Sequence, residues 1–105
     1  MSRKIKLSVP VEVVVRDRDA RLCGILSRLS RRPGVPVKIA LSRLAEEMAL
    51  SPDTLRRAVS SCCAEGYLTV TENYLDNGTQ LENSYTLTKD GIAIAKAAHE
   101  AGMVA

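Results

Sequence analysis

Residues 49–51 constrain this chain most tightly, because the sequence on both sides of them is patterned as helix. Upstream, Leu41, Leu44, Ala45 and Met48 share one side of a short helix for which Ser42 is the expected cap. Downstream, Ser51-Pro52-Asp53 is a start signal. Ser51 can accept from the unpaired amides of a first turn, Pro52 suits the first helical position, and Asp53 complements the positive end of the helix dipole. The helix that follows carries Leu55, Ala58, Val59 and Cys62 on one stripe and ends at Gly66, the residue type that closes a helix in the left-handed conformation. Two helices joined by so short a bend must share one core.

The remaining segments fall around this pair. From Ile5 to Val15 every odd position is apolar, which is the period of a strand. Pro10 cannot donate to a ladder, so the strand is either a sheet edge or two short pieces. Asp17 or Asp19 can cap a first helix with Leu22, Ile25, Leu26 and Leu29 on its inner side, ended by Pro33-Gly34. Val37-Lys38-Ile39 can pair as a short strand. Tyr67–Thr71 and Ser84–Thr88 are rich in β formers, with Asp76-Asn77-Gly78 as turn chemistry between them. Thr88 caps a last helix in which Ile92, Ile94, Ala95, Ala97, Ala98 and Ala101 leave only a thin polar strip, a breadth that asks for a partner.

Three stretches together resemble winged-helix regulators. Leu44-Ala45-Glu46-Glu47-Met48 with Leu50-Ser51-Pro52-Asp53-Thr54-Leu55-Arg56-Arg57-Ala58-Val59 is similar to their helix-turn-helix. Glu65-Gly66-Tyr67-Leu68 is similar to the junction after it, and Tyr85-Thr86-Leu87-Thr88-Lys89-Asp90-Gly91 to the step closing the wing in MarR-like and PadR-like repressors. Each piece is common alone; their order and spacing carry the resemblance. It departs at Ala49, where the pattern has Gly, so the bend is expected to form without an inexpensive positive φ. The resemblance implies an α+β winged helix-turn-helix, a three-helix core with a β-hairpin wing, in a single domain over residues 1–105. An N-terminal β arm would occupy 1–16, the winged-helix core 17–88 and an extra C-terminal helix 89–105.

Charge points the same way. Residues 1–60 hold 13 Lys or Arg against 6 Asp or Glu, whereas residues 61–105 hold 2 against 6, so a polyanion would dock on the first half. A third helix fixed by its apolar stripe presents Asp53, Thr54, Arg56, Arg57, Ser60 and Ser61 to a duplex. Arg56 or Arg57 could bond a guanine edge in two places, and Thr54, Ser60 and Ser61 suit phosphates or bases. Ser51 at the helix start and Arg43 on the preceding helix complete the expected DNA-binding set. The hairpin holds Glu72, Asp76 and Glu82 and repels phosphate, which leaves the Arg3-Lys4-Lys6 end as a substitute arm.

No Gly-rich phosphate loop, paired-carboxylate signature or metal constellation is present, and His99 has no Ser, Asp or Cys at a telling spacing. Cys23, Cys62 and Cys63 read as free thiols, Cys62 in the core. No catalytic residues, metal, cofactor or small-molecule ligand is expected. With no apolar run of membrane length and no signal-peptide core at the start, the chain reads as cytoplasmic. The expected function is a homodimeric transcription regulator that binds double-stranded DNA, with the N-terminal strand and last helix as dimer surfaces. A replication or partition protein of a plasmid or phage, and a winged-helix module that binds protein, are the alternatives.

Overall fold

The computed structural model describes residues 1–8, 11–74, 76–78 and 82–104. Along the chain lie β1 (Ser2–Lys6), β2 (Glu12–Arg16), α1 (Asp17–Leu29), β3 (Val37–Ile39), α2 (Leu41–Met48), α3 (Pro52–Ala64), β4 (Leu68–Thr71), β5 (Asn83–Leu87) and α4 (Lys89–Glu100). The N-terminal segment is two strands rather than one: β1 and β2 pair antiparallel, with Ile5 opposite Val13 and Arg3 opposite Val15. Cross-strand partners point to the same side of a ladder, so the period-two pattern survives the reversal. Ile5 and Val15 are buried, while Val14 on the other side is 67% exposed. Pro10 lies outside the described residues.

The strand β2 runs straight into α1, and this overturns the expected cap. Arg16 stands at the cap position with no side-chain bond. The Asp17 amide donates instead to the Met1 carbonyl at 2.7 Å, and Arg3 Nε donates to the Asp17 carboxylate at 2.9 Å. That guanidinium holds the Asp17 carboxyl below its ordinary pKa. Asp17 and Asp19 therefore occupy the first turn, where they still complement the dipole. Leu22, Cys23, Ile25 and Leu26 are buried on the inner side, but Leu29 in the last turn is 36% exposed.

The helix α2 likewise starts early, by two residues. Ala40, extended at the end of β3, is its cap, and no side chain closes it, so Ser42 lies within the first turn. The bend to α3 does use the left-handed region: Ala49 has φ 53° and ψ 41°. Leu50 N then reaches back to Ala45 O at 3.0 Å, the long bond that satisfies a helix end in a Schellman motif. Start of α3 and start of α4 are as expected, with Ser51 accepting from Thr54 N and Thr88 from Gly91 N, both at 3.2 Å.

The second sheet has the order β3-β5-β4, antiparallel throughout, with Tyr85 flanked by Val37 and Val70. Its inner residues Val37, Leu68, Tyr85 and Leu87 join Leu22, Leu26, Leu44, Met48, Leu55 and Ile94 in one buried cluster. The α4 helix finds its partner within the chain. Ile94, Ala95 and Ala98 are buried, and a side chain added at Gly24 of α1 would stand 2.5 Å from Val104 and 3.3 Å from Ala98. Small residues let the two helices approach closely.

Gly91 has an even stricter role. A Cβ there would lie 2.0 Å from the carbonyl oxygen of Tyr67, which is held in place by accepting from Thr88 N at 3.1 Å. The Thr88 hydroxyl also donates to Gly66 O at 2.6 Å. The end of the wing is thereby bolted to the exit of α3.

Two stability changes of opposite sign follow. Gly91→Ala should destabilise the fold by about 1–3 kcal/mol, because rigid backbone cannot yield to the methyl. Ala49→Gly should stabilise it by about 0.5–1 kcal/mol, relieving a left-handed alanine against the greater entropy of an unfolded glycine. Urea unfolding read by circular dichroism checks both.

Candidate nucleic-acid interface

The α3 helix is anchored by Leu55, Ala58 and Cys62, all at zero exposure. The positions opposite, Asp53, Arg56, Arg57 and Ser60, are exposed and fall at i, i+3, i+4 and i+7, so they form a single outward stripe. Arg56 Nη1 donates to Asp53 Oδ1 at 2.8 Å, with side chains 61% and 84% exposed. An ion pair this open is worth at most about 1 kcal/mol, so the guanidinium can be drawn away by a better acceptor.

The other four residues expected at the interface are placed differently. Ser51 and Thr54 are engaged at the cap, where Ser51 Oγ donates to Thr54 Oγ1 at 2.9 Å. Arg43 is exposed on α2 and lines a shallow groove with Lys38 and Glu82. Ser61 turns inward: its hydroxyl donates to Asp19 Oδ2 at 2.7 Å. That bond links α1 to α3 across 42 residues of sequence, and no local signal in either segment announces it.

Asp19 is only 4% exposed. A buried carboxylate is tolerated when its oxygens are fully engaged, and here Arg18 Nε donates to Oδ1 at 3.1 Å while Ser61 serves Oδ2. The Asp19 carbonyl also receives a weak bond from Cys62 Sγ at 3.9 Å. The thiol of Cys62 is pushed well above its usual pKa by a hydrogen bond with Cys23 and by burial. Both thiols therefore behave as core groups, whereas Cys63 is exposed.

Two clefts flank α3. On the wing side, a space of about 770 Å³ is lined by Arg56, Val59, Ser60, Cys63, Glu72 and Glu82, with Tyr85 among its walls. The Tyr85 hydroxyl is buried, and burial pushes it above the ordinary tyrosine pKa. Residues 67–88 contain no Lys or Arg, and Glu72, Asp76 and Glu82 are all exposed; the wall facing Arg56 is acidic. On the other side, a cleft of about 550 Å³ is lined by Arg16, Arg18, Arg57, Asp19, Ser61 and Glu65, together with Val14, Val15 and Tyr67. Sequence reasoning singled out neither Arg16 nor the grouping.

No protein-family model matches the chain, and no curated protein resembles it in sequence. Solved structures do. ZitR of Lactococcus lactis, solved in complex with DNA, superposes with a TM-score of 0.63 at 14% identity, over 90% of this chain and 59% of that one. A MarR family transcriptional regulator from Silicibacter pomeroyi gives 0.58 at 20% identity, over 85% and 55%. A suspected DNA-binding protein of Ralstonia eutropha JMP134 gives 0.58 at 20% identity, over 79% and 95%. Such likeness shows the fold: this is a winged helix of the type found in MarR regulators, with α2 and α3 as its helix-turn-helix and β4–β5 as its wing. The chain spans little more than half the length of the ZitR and Silicibacter proteins.

Ser61→Ala should lower stability by about 1–3 kcal/mol, since it leaves one oxygen of a buried carboxylate without its donor. Ser60→Ala, on the exposed stripe, should cost less than about 0.5 kcal/mol. Equal effects in chemical denaturation would show that the Asp19–Ser61 bond contributes nothing to the fold.

Proposed function

We propose that the chain is a regulator of transcription that binds double-stranded DNA by laying the outward stripe of α3 in the major groove. The observation that carries this reading is the stripe itself. Asp53, Arg56, Arg57 and Ser60 stand exposed on a helix whose opposite side is locked in the core, so their direction is set before any ligand arrives. Preorganised side chains bind without the cost of ordering a loop. Arg56 is the base reader, exchanging Asp53 for the two acceptors of a guanine, a contact worth about 1–3 kcal/mol of discrimination. Arg43 on α2 steadies the complex on a phosphate. Ser51 and Thr54 serve the helix start, whose amides favour an anion, and Ser61 acts from behind the interface by holding α3 in place.

The protein works as a homodimer in this reading, with two α3 helices about 34 Å apart on one side of a duplex. The β1–β2 hairpin and α4 are the surfaces for it. Leu7 and Val13 on the hairpin and the partly exposed Ile92, Ala97, Met103 and Val104 supply apolar surface for it. Support comes from ZitR, solved with DNA, and from the regulators that share the fold. No described helix is long and apolar enough to cross a membrane. The task is binding rather than catalysis, in keeping with those regulators.

Selection from random duplexes with purified protein should enrich a two-fold symmetric motif. Arg56→Ala should weaken binding to that motif by about tenfold to a hundredfold and relax the preference at one base pair per half-site. Enrichment of no sequence, with affinity insensitive to salt, would reject DNA binding and leave a module that binds protein.

A further inference from the structure

We infer that the cleft between β2, the first turn of α1 and α3 is a binding site for a backbone phosphodiester of DNA, with Arg16 and Arg57 as its two anion-binding groups. This rests on the DNA-binding reading and deepens it, by naming the surface that takes the role the acidic wing cannot fill.

Three guanidinium groups, Arg16, Arg18 and Arg57, line this cleft against the carboxylates of Asp19 and Glu65. Asp19 is already satisfied by Arg18 and Ser61, and its pair is nearly closed to solvent, with side chains 25% and 5% exposed. Arg18 is thereby oriented along the wall of the cleft. Arg16 and Arg57 are exposed and form no ion pair with any described residue. Two open guanidiniums facing one uncommitted carboxylate, Glu65, leave a net positive site. Guanidinium suits a phosphate because its planar fork can offer two parallel donors.

Position selects the source of the phosphate. Arg57 belongs both to this cleft and to the outward stripe of α3, so a duplex that receives α3 in its major groove brings a groove wall, which is sugar-phosphate backbone, alongside it. The hairpin extends the track. Lys4 is paired with Val14 and Ser2 with Arg16, which places Lys4 on the same side of the ladder as Arg16, and Val14 itself lines the cleft. Arg3 is withdrawn from any such role by its bond to Asp17. The N-terminal end thus meets DNA as paired strands tied to the first turn of α1, not as a loose arm, and contact is displaced from the wing to the opposite side of α3.

The test is the salt dependence of binding to a duplex of about 20 base pairs, followed by fluorescence anisotropy for the wild type, Arg16→Ala, Arg57→Ala and, on α4 outside the cleft, Lys96→Ala. Each phosphate contact contributes about 0.9 to the slope of log K against log salt. Arg16→Ala and Arg57→Ala should each lower the slope by about that amount and weaken binding several-fold on every duplex alike, while Lys96→Ala keeps the wild-type slope. Arg16 forms no ion pair with any described residue, and an unchanged thermal melt checks that the variant is intact. Side-chain Nε–H resonances of Arg16 and Arg57 should shift on adding duplex and stay put with inorganic phosphate at equal ionic strength. Equal shifts with both would make this a free-anion site and overturn the proposal. Wild-type slope and affinity in Arg16→Ala, with DNA binding otherwise intact, would overturn it alone; absence of salt-dependent binding in the wild type would remove the DNA reading and the site together.

Discussion

The seating of α3 on the core governs everything outward of it. Leu55, Ala58 and Cys62 are fully buried, and the helix cannot rotate about its axis without exposing one of them and burying a guanidinium. Exposing a leucine costs about 1.5–3 kcal/mol, and an unpaired buried charge costs more. The directions of Arg56 and Arg57 are therefore consequences of apolar packing on the opposite side. Asp19 adds a polar lock to this. Its bond to Ser61 fixes the lateral position of the helix, and a misplaced α3 would leave a buried carboxylate oxygen without a donor. The lock and the proposed phosphate cleft share Asp19, Arg18 and Ser61, so structural order and binding geometry are set by one group of side chains.

The charge distribution divides the molecule across α3. Toward the wing, Glu72 and Glu82 face Arg56; toward the hairpin, Arg16, Arg18 and Arg57 outnumber Asp19 and Glu65. A polyanion approaching α3 meets repulsion on one flank and attraction on the other, which favours a tilted seat over a symmetric one. The wing is in turn held by backbone geometry rather than by charge: Thr88 and Gly91 fasten it to the carbonyls of Gly66 and Tyr67. This gives the sequence Tyr-Thr-Leu-Thr-Lys-Asp-Gly a physical content, since the hydroxyl and the missing Cβ are both required at that junction.

Much of the architecture was legible because it is local. The caps at Ser51 and Thr88, the stripe Leu55-Ala58-Cys62, the β-rich arms of the wing and the alternation from Ile5 to Val15 need only neighbours in sequence. Where sequence reasoning missed, a distant element had intervened. Asp17 and Asp19 look like caps, but a strand leads directly into α1 and the Met1 carbonyl takes the amide of Asp17. Ser42 looks like a cap, but β3 delivers Ala40 to that position. Ala49 was expected to avoid positive φ and adopts it, because the Leu50-to-Ala45 bond and the burial of Met48 require a tight reversal. The broad apolar side of α4, read as a request for a second subunit, is largely met by α1.

By itself, the order of amino acids determined the elements, their capping chemistry, the stripe that α3 turns inward and hence the stripe it turns out. Those follow from periodicity and from bonds spanning three or four residues. The three-dimensional fold alone decided that Ser61 faces Asp19, that Arg3 is spent on Asp17, and that Arg16, Arg18 and Arg57 share one cleft. Those groupings join residues up to 42 positions apart, and separation on that scale leaves no periodic trace: side chains meet there because packed helices and a hairpin bring them within a few ångströms, not because of what stands next to them in the chain.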